Sequence, residues 1–396
     1  MNTSCRSKRN SITKIGDCSG TALWKAEDPE FPRLEASPVV AAFELDGRAA
    51  LFCEQKQQII SLEGCAPLIW LLLIEQQFSS AKVIGELGRV GLPTADAQRF
   101  IDLCIGQWLD LGIIRLAHDV ATSIKLSFGD AKFLISCSSK AILDQVSGNF
   151  GYLHSGAGTV TYQRRLDFIE RNGTVYGVSE NGLIFQGASD LLPTAVKAAI
   201  SSDLIRLNTP LPVLHAACLI RNGRALIICG PPGAGKTTLS LVLEKAGFTY
   251  AGDDVTRLAR NGYVRGIALP RSFKSGAWRL AATLDPAFET TVISQRPDGR
   301  KVRFLKPVQY DERCVPTGMA VFLERGNGDL PRIRRLSDTD ALGRLVASSH
   351  APDHRMGLSG ILSLKKIAAT ASCVEFAYRN PADAIGAVTE VFDAGS

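Results

Sequence analysis

The hydrophobic pattern of the first third of the chain is first alternating and then helical. Apolar segments lie on both sides of Asp46-Gly47, a dipeptide typical of a two-residue hairpin, and predict two short strands. Three stretches with apolar residues at helical spacing follow. They begin near Gly64, Ser79 and Thr94, and the last ends at Gly112, before the strand-like segment IIRL. The pattern predicts a small winged-helix domain over residues 36–118.

The middle and the end of the chain show a different pattern. Residues 122–187 alternate between apolar and polar positions and are interrupted by turns, which predicts an antiparallel β layer. The segment DLLPTAVKAAISSDLIRLN then predicts a helix that leads into a second, catalytic domain. We therefore expect an α/β chain, α+β overall, with a β-rich part at 119–205 and an α/β domain at 206–396.

Composition excludes several classes of protein. The chain has 396 residues, 45% of them hydrophobic and 21% charged, which is ordinary for a globular protein. Its longest apolar run, LIWLLLI, is too short to span a bilayer, and no apolar segment follows the basic N-terminus as in a signal peptide. Ten cysteines include no C-x-x-C pair, so we expect reduced thiols and a cytoplasmic protein without a membrane partner.

The net charge of +6 is partly carried by the first residues. Residues 1–35 lack hydrophobic periodicity and are expected to form a flexible basic tail. The helices of the predicted winged-helix domain have few basic residues at their starts, which argues against DNA recognition and for protein or peptide contacts.

The strongest motif is GPPGAGKT, which follows the apolar strand RALIICG and precedes the helix KTTLSLVLEKAG. Strand, loop and helix in this order are the context of a phosphate-binding P-loop, or Walker A motif. Lys236 supplies a cation for the β- and γ-phosphates, and the Thr237 hydroxyl is a ligand for Mg²⁺. The expected ATP-binding residues are Gly230, Pro231, Pro232, Gly233, Ala234, Gly235, Lys236, Thr237 and Thr238.

Two adjacent carboxylates follow the P-loop. Asp253 and Asp254 come directly after the strand segment FTYAG, at what we expect to be the C-terminal end of a strand next to the P-loop strand. One carboxylate can hold Mg²⁺, and the other can accept a proton from an attacking hydroxyl. Close negative charges raise each other's pKa values, which suits a base.

The order of His215, the P-loop and the Asp-Asp pair resembles the catalytic domain of the HPr kinase/phosphorylase family. By this resemblance, His215 lies beside Asp253 and tunes it, Asp253 is the general base, and Asp254 helps to bind Mg²⁺. Thr238 stands where that family has an acidic residue, and ALPRSFKSG stands in place of its glutamate-arginine signature. In these departures the chain resembles the divergent kinases of peptide-modification gene clusters.

The segments IISLEGCAPLIWLLL, SSAKVIGELGRVGLP and WLDLGII, within about residues 38–116, resemble the PqqD family of peptide-recognition domains. The resemblance implies that a leader peptide binds here as an added strand, with a helix beside the groove. Other protein contacts, or use of a winged helix for DNA or dimerisation, stay open as alternatives.

These features together predict a kinase that uses ATP and Mg²⁺ to phosphorylate a Ser or Thr hydroxyl of a ribosomally made precursor peptide. A small-molecule kinase and a non-catalytic, ATP-binding peptide chaperone remain as alternatives. Other peptide-maturation enzymes and a second copy of the chain stay open as partners. Possible contacts to phosphate or acceptor, each also explicable as a surface charge, are Arg271, Lys274, Arg300 and Arg303.

Overall fold

The computed structural model shows a mixed α/β chain, as predicted. It describes residues 13–15, 33–54, 56–117, 122–155, 161–171, 173–180, 182–324, 331–352, 355–378 and 381–395. The chain divides into two compact units. The first comprises the chain up to Lys125, Phe133–Asp144 and Tyr162–Ser189, and the second comprises Leu126–Lys132, Gln145–Thr161 and the chain from Asp190 onwards. No helix within the described ranges is both long and apolar enough to cross a membrane.

The first unit begins with short strands and three helices. They are β1 (Thr13–Ile15), β2 (Leu34–Ala36), β3 (Val40–Leu45), β4 (Arg48–Cys53), β5 (Gln58–Leu62), α1 (Ala66–Ile69, continued by a π-helical turn at Trp70–Glu75), α2 (Ser80–Arg89), α3 (Thr94–Leu111) and β6 (Ile114–Leu116). The hairpin at Asp46-Gly47 is confirmed, because both residues have positive φ angles, of 52° and 71°.

The helix ends follow the sequence signals in two of three cases. Ser79 caps α2 by accepting a hydrogen bond from the backbone N–H of Lys82 at 3.3 Å, and Gly112 ends α3 in the left-handed conformation with φ 69°. Thr94 by its residue type is also a possible cap for α3, but this interpretation is wrong: α3 begins at Thr94 itself, and Pro93 precedes it. Proline restricts the backbone there without offering a side-chain acceptor.

The first sheet has the order β1-β5-β4-β3. Strand β1 lies within the predicted flexible tail and pairs in parallel with β5, with Thr13 opposite Ile60. The rest of the predicted tail, at residues 1–12 and 16–32, lies outside the described residues. At the other edge, β3 has exposed side chains on both faces, including Phe43 and Leu45.

A five-stranded sheet follows in the order β11-β10-β9-β8-β7. Its elements are β7 (Thr122–Phe128), β8 (Ala131–Cys137), α4 (Lys140–Phe150), β9 (Arg164–Arg171), β10 (Thr174–Ser179) and β11 (Gly182–Gly187). The prediction of an antiparallel layer is wrong for one pair, because β8 and β9 are parallel. Helix α4, which buries Ile142, Val146 and Phe150, connects them and returns the chain to the same end of the sheet.

The first unit has one shared core. Trp70 and Trp108 meet edge to face at 5.2 Å, and Ile169 and Tyr176 of the five-stranded sheet belong to the same hydrophobic cluster. Asp102 of α3, which is 3% exposed, pairs with Arg171 of β9. The packing thus groups most of residues 119–189 with the front segment. The domain boundaries at 118/119 and 205/206 stay predictions.

The second unit contains the predicted catalytic domain. Its elements are α5 (Leu192–Leu207), β12 (Val213–Leu214), β13 (Ala217–Arg221), β14 (Arg224–Cys229), α6 (Lys236–Lys245), β15 (Thr249–Gly252), β16 (Thr256–Leu258), β17 (Tyr263–Gly266), β18 (Arg271–Lys274), α7 (Trp278–Leu284), β19 (Ile293–Gln295), β20 (Lys301–Leu305), β21 (Val315–Glu324), β22 (Arg332–Arg335), α8 (Asp338–Ala347), β23 (Ser349–His350), α9 (Leu358–Thr370), β24 (Ser372–Ala377) and α10 (Pro381–Ala394).

The direction of three strands decides where the site forms. Strand β13 lies between β14 and β15 and is antiparallel to both. Strands β14 and β15 therefore run in the same direction and end at one edge of the sheet, where β13 begins. The prediction that β14 and β15 are adjacent strands is wrong, because β13 lies between them. Their C-terminal ends nevertheless lie at the same edge of the sheet.

Candidate active site

The shared sheet edge collects three sequence features in one place. The P-loop follows β14, Asp253 follows β15, and His215 lies two residues before β13 starts. Because an antiparallel strand starts where its neighbours end, His215 reaches the same edge as the P-loop and the aspartates. The topology thus explains how a histidine that comes before the P-loop in sequence arrives beside it in space.

The P-loop has the predicted local structure of strand, loop and helix. Gly235 precedes α6 with φ 103°, a backbone conformation that disfavours any other residue, and a Cβ atom there would lie 2.7 Å from the Tyr378 hydroxyl and displace it. Lys236 is 7% exposed and its Nζ donates to the Gly230 carbonyl at 2.7 Å. Its ammonium group therefore lies across the loop, where phosphates would be held.

Asp253 is a buried carboxyl bonded to the P-loop helix. It is 1% exposed, and its Oδ2 accepts a hydrogen bond from Thr237 Oγ1 at 3.0 Å. Its Oδ1 is buried and has no hydrogen-bond partner among the described residues. Burial and then the charge of Asp254 raise the pKa of Asp253 to about 6, although Lys197, Arg271 and the Thr237 hydroxyl act in the opposite direction. A carboxyl with this pKa can take up a proton near neutral pH.

Asp254 has the opposite electrostatic environment. Its side chain is 33% exposed and forms an ion pair with Lys197 of α5. Burial by itself raises the pKa of Asp254, but the charge of Lys197 and the hydrogen bond from it outweigh this effect, and His215 and Lys236 add to it, so the pKa lies below its usual value. The pKa values of the two adjacent aspartates are therefore shifted in opposite directions. Such a difference in pKa distinguishes a base from a carboxylate that stays charged.

His215 contacts Asp254 through the backbone. Its Nδ1 lies 3.1 Å from the Asp254 carbonyl oxygen, which can only accept, so Nδ1 carries the proton and Nε2 holds a lone pair in the neutral ring. Burial, followed by the charge of Lys236, lowers the pKa of His215 and favours this neutral form. The His215 ring thus lies next to the Asp253-Asp254 pair and is hydrogen-bonded to the second of these residues, and its tuning of Asp253 stays a prediction.

The residues at this edge have the donor set that a magnesium–nucleotide complex needs. Oxygen ligands are available from Thr237 and Asp254, and the orphaned Oδ1 of Asp253 faces no other described donor. Among the described residues, no group of three or more His, Cys, Asp or Glu side chains forms a metal site of its own. A cation here would therefore depend on phosphate oxygens for part of its coordination, as is usual for Mg²⁺.

The four predicted cationic contacts separate into two groups. Lys274 lies near the site, since its charge is among those that act on Lys236. Arg271 is 1% exposed and lies 3.8 Å above the Tyr250 ring, in an ion pair with Glu244 at 2.6 Å. This burial gives Arg271 a structural role, and its contact with phosphate or acceptor stays an untested prediction.

The turn-like segment RPDGRKVRF suggests a flexible loop around Arg300 and Arg303, but in the structure these residues belong to a hairpin. Strands β19 and β20 pair there, and Val302 and Phe304 of β20 alternate with polar residues and are buried. Arg300 contacts Asp298 at 3.9 Å, and Arg303 lies 4.8 Å from the Trp278 ring. None of these contacts involves the P-loop, Asp253 or Asp254.

Two residues of the site escaped the sequence analysis. Lys197 is the single charged residue between Asp190 and Asp203, in the otherwise uncharged first turns of a helix. This isolated charge could have indicated a specific partner for Lys197. Tyr378 donates from its hydroxyl to the Gly235 carbonyl at 3.2 Å, and no local pattern marks it. Both reach the site through the tertiary fold.

Comparisons with known proteins add little beyond this geometry. No protein-family model matches the chain, and no curated protein matches it either. One solved structure that it is similar to is the Hpr(Ser) kinase/phosphatase from Coxiella burnetii, at 14% identity and a TM-score of 0.23, covering 46% of this chain and 98% of that one. A similarity of this size carries no functional argument, so the proposals below depend on the site itself.

Proposed function

We propose that this protein is a kinase that transfers the γ-phosphoryl group of ATP, bound with Mg²⁺, to a hydroxyl group. One observation carries the proposal: a buried carboxyl with a raised pKa, Asp253, is hydrogen-bonded to Thr237 of the P-loop, and an ionised carboxylate, Asp254, is adjacent to it. Transfer to a hydroxyl needs a group beside the bound phosphates that can accept the hydroxyl proton, and Asp253 meets this need.

Each residue has a distinct task in this reaction. The P-loop backbone and Lys236 would bind the phosphates, and Thr237 and Asp254 would hold the cation. Mg²⁺, when bound, neutralises negative charge on the phosphates. Asp253 accepts the proton of the attacking hydroxyl, and the ring of His215 fixes the backbone of Asp254. The protein contributes mainly positioning and electrostatic stabilisation, as phosphoryl transfer requires.

We further propose that the acceptor is a Ser or Thr hydroxyl of a ribosomally made peptide whose leader binds to the first unit. Support comes from the resemblance to peptide-recognition domains and from the small sheet β1-β5-β4-β3, which has strand edges that can accept another strand. Binding of a leader would raise the local concentration of the acceptor, so that the catalytic site need not bind it tightly.

The variant Asp253→Asn tests this function. We expect it to bind ATP with nearly unchanged affinity in calorimetry, while phosphate transfer, followed as a mass increase of the acceptor peptide, falls by at least ~10²-fold. Asp298→Asn is the matched control, because Asp298 is exposed in the β19–β20 turn and should leave both quantities unchanged. ATP binding and leader binding with no transfer by the wild type would favour the chaperone, and transfer to a small molecule alone would favour the small-molecule kinase.

A further inference from the structure

The ammonium group of Lys197 is held at three oxygens. It donates to the Pro270 carbonyl at 2.9 Å and to Ser272 Oγ at 2.8 Å, and it forms the ion pair with Asp254. The Lys197 side chain is 8% exposed. An ammonium group has three N–H donors, so this arrangement uses all of them and leaves no need for water.

The two neutral oxygens fix this cation independently of Asp254. Pro270 lies just before β18 and Ser272 lies within it, and both accept a hydrogen bond from the ammonium group. The charge would therefore stay in place if the Asp254 side chain turned towards another cation. A cation that is fixed by the fold repels any second cation that approaches the same carboxylate, because both positive charges would then lie next to one group.

We propose that Lys197 is a positioning residue that acts as a built-in counter-cation for Asp254 and prevents free divalent cations from occupying the site. The cation would then enter mainly together with the nucleotide, whose phosphates supply the negative charge that overcomes the repulsion. This proposal rests on the proposed function in one respect, namely the assignment of Asp254 to the cation.

The test measures cation binding directly and needs no turnover. Mn²⁺ alone, without nucleotide, is titrated into the full-length protein and followed by electron paramagnetic resonance. We expect Lys197→Met to bind Mn²⁺ at least ~10-fold more tightly than the wild type, because a fixed positive charge close to the carboxylate has been removed. A merely structural role of Lys197 would weaken Mn²⁺ binding or leave it unchanged, and either result in a folded variant would overturn the proposal.

A double variant shows whether the gain in Mn²⁺ affinity depends on Asp254. In Lys197→Met/Asp254→Asn the gain should disappear, and its persistence would refute the proposed pairing. Arg206→Met is the control on the same helix, because Arg206 pairs with Asp203 outside the site. If Lys197→Met does not fold, Lys197→Gln removes the charge and keeps a donor for the two neutral oxygens. Absence of phosphate transfer in the wild type would refute the proposed function without altering this measurement.

Discussion

Replacing Asp253 by Asn should change how the stability of the second unit depends on pH. Burial raises the pKa of this carboxyl from about 3.8 to about 6, so the folded protein holds a proton there more tightly than the unfolded chain does. The stabilisation from that proton is complete below about pH 3.8 and is lost as the pH rises through about 6. At pH 8 the wild type then carries a buried charge that costs up to about 3 kcal/mol.

The Asn variant has no proton to lose, and its Oδ1 can still accept the hydrogen bond from Thr237. Any constant cost of the new amide group cancels when two pH values are compared. Between pH 4 and pH 8, the difference in unfolding free energy between variant and wild type should shift by about 2–3 kcal/mol in favour of the variant. For a unit of roughly this size, that corresponds to a relative gain in Tm of about 5–10 °C.

Differential scanning calorimetry can measure this shift, because it can resolve separate transitions for two units. Chelator is needed in all buffers, since a bound cation would stabilise the ionised carboxylates. Asp298→Asn is again the control and should follow the wild type closely over this range, because Asp298 is exposed and its pKa lies below its usual value. If the Tm values of Asp253→Asn and wild type run in parallel from pH 4 to pH 8, Asp253 does not hold a proton as inferred, and its assignment as the base fails.

Three further predictions concern other parts of the chain. Tyr378→Phe removes the hydrogen bond to Gly235 and should weaken ATP binding by about 3- to 10-fold in calorimetry without a change in fold; unchanged affinity would contradict a role in holding the P-loop. Asp102→Asn removes the carboxylate that pairs with Arg171, and should destabilise the first unit by about 2 kcal/mol in calorimetry while the second unit melts as before; an unshifted first transition would contradict this. Lys14→Pro should break the pairing of β1 with β5 and tighten binding of a candidate leader peptide, measured by fluorescence anisotropy, if the leader uses that edge; weaker binding would place the peptide elsewhere.

Local sequence determined those parts of the structure that depend on a few consecutive residues. Asp46-Gly47 specifies a hairpin, Gly112 ends a helix, and the P-loop motif specifies strand, loop and helix, because each depends on backbone conformations that neighbouring residues favour or forbid. For the same reason, the adjacent carboxylates Asp253 and Asp254 could be proposed as chemical groups from the sequence alone.

Only the tertiary structure decided how those groups are used. Asp253 and Asp254 are chemically identical in sequence, and what distinguishes them is burial for one and the ammonium group of Lys197 for the other. That ammonium comes from a helix more than fifty residues earlier in the chain. Likewise, only the fold shows that Arg271 is buried in an ion pair with Glu244. Strand order and packing bring together residues that are distant in sequence, and a local pattern contains no information about such contacts.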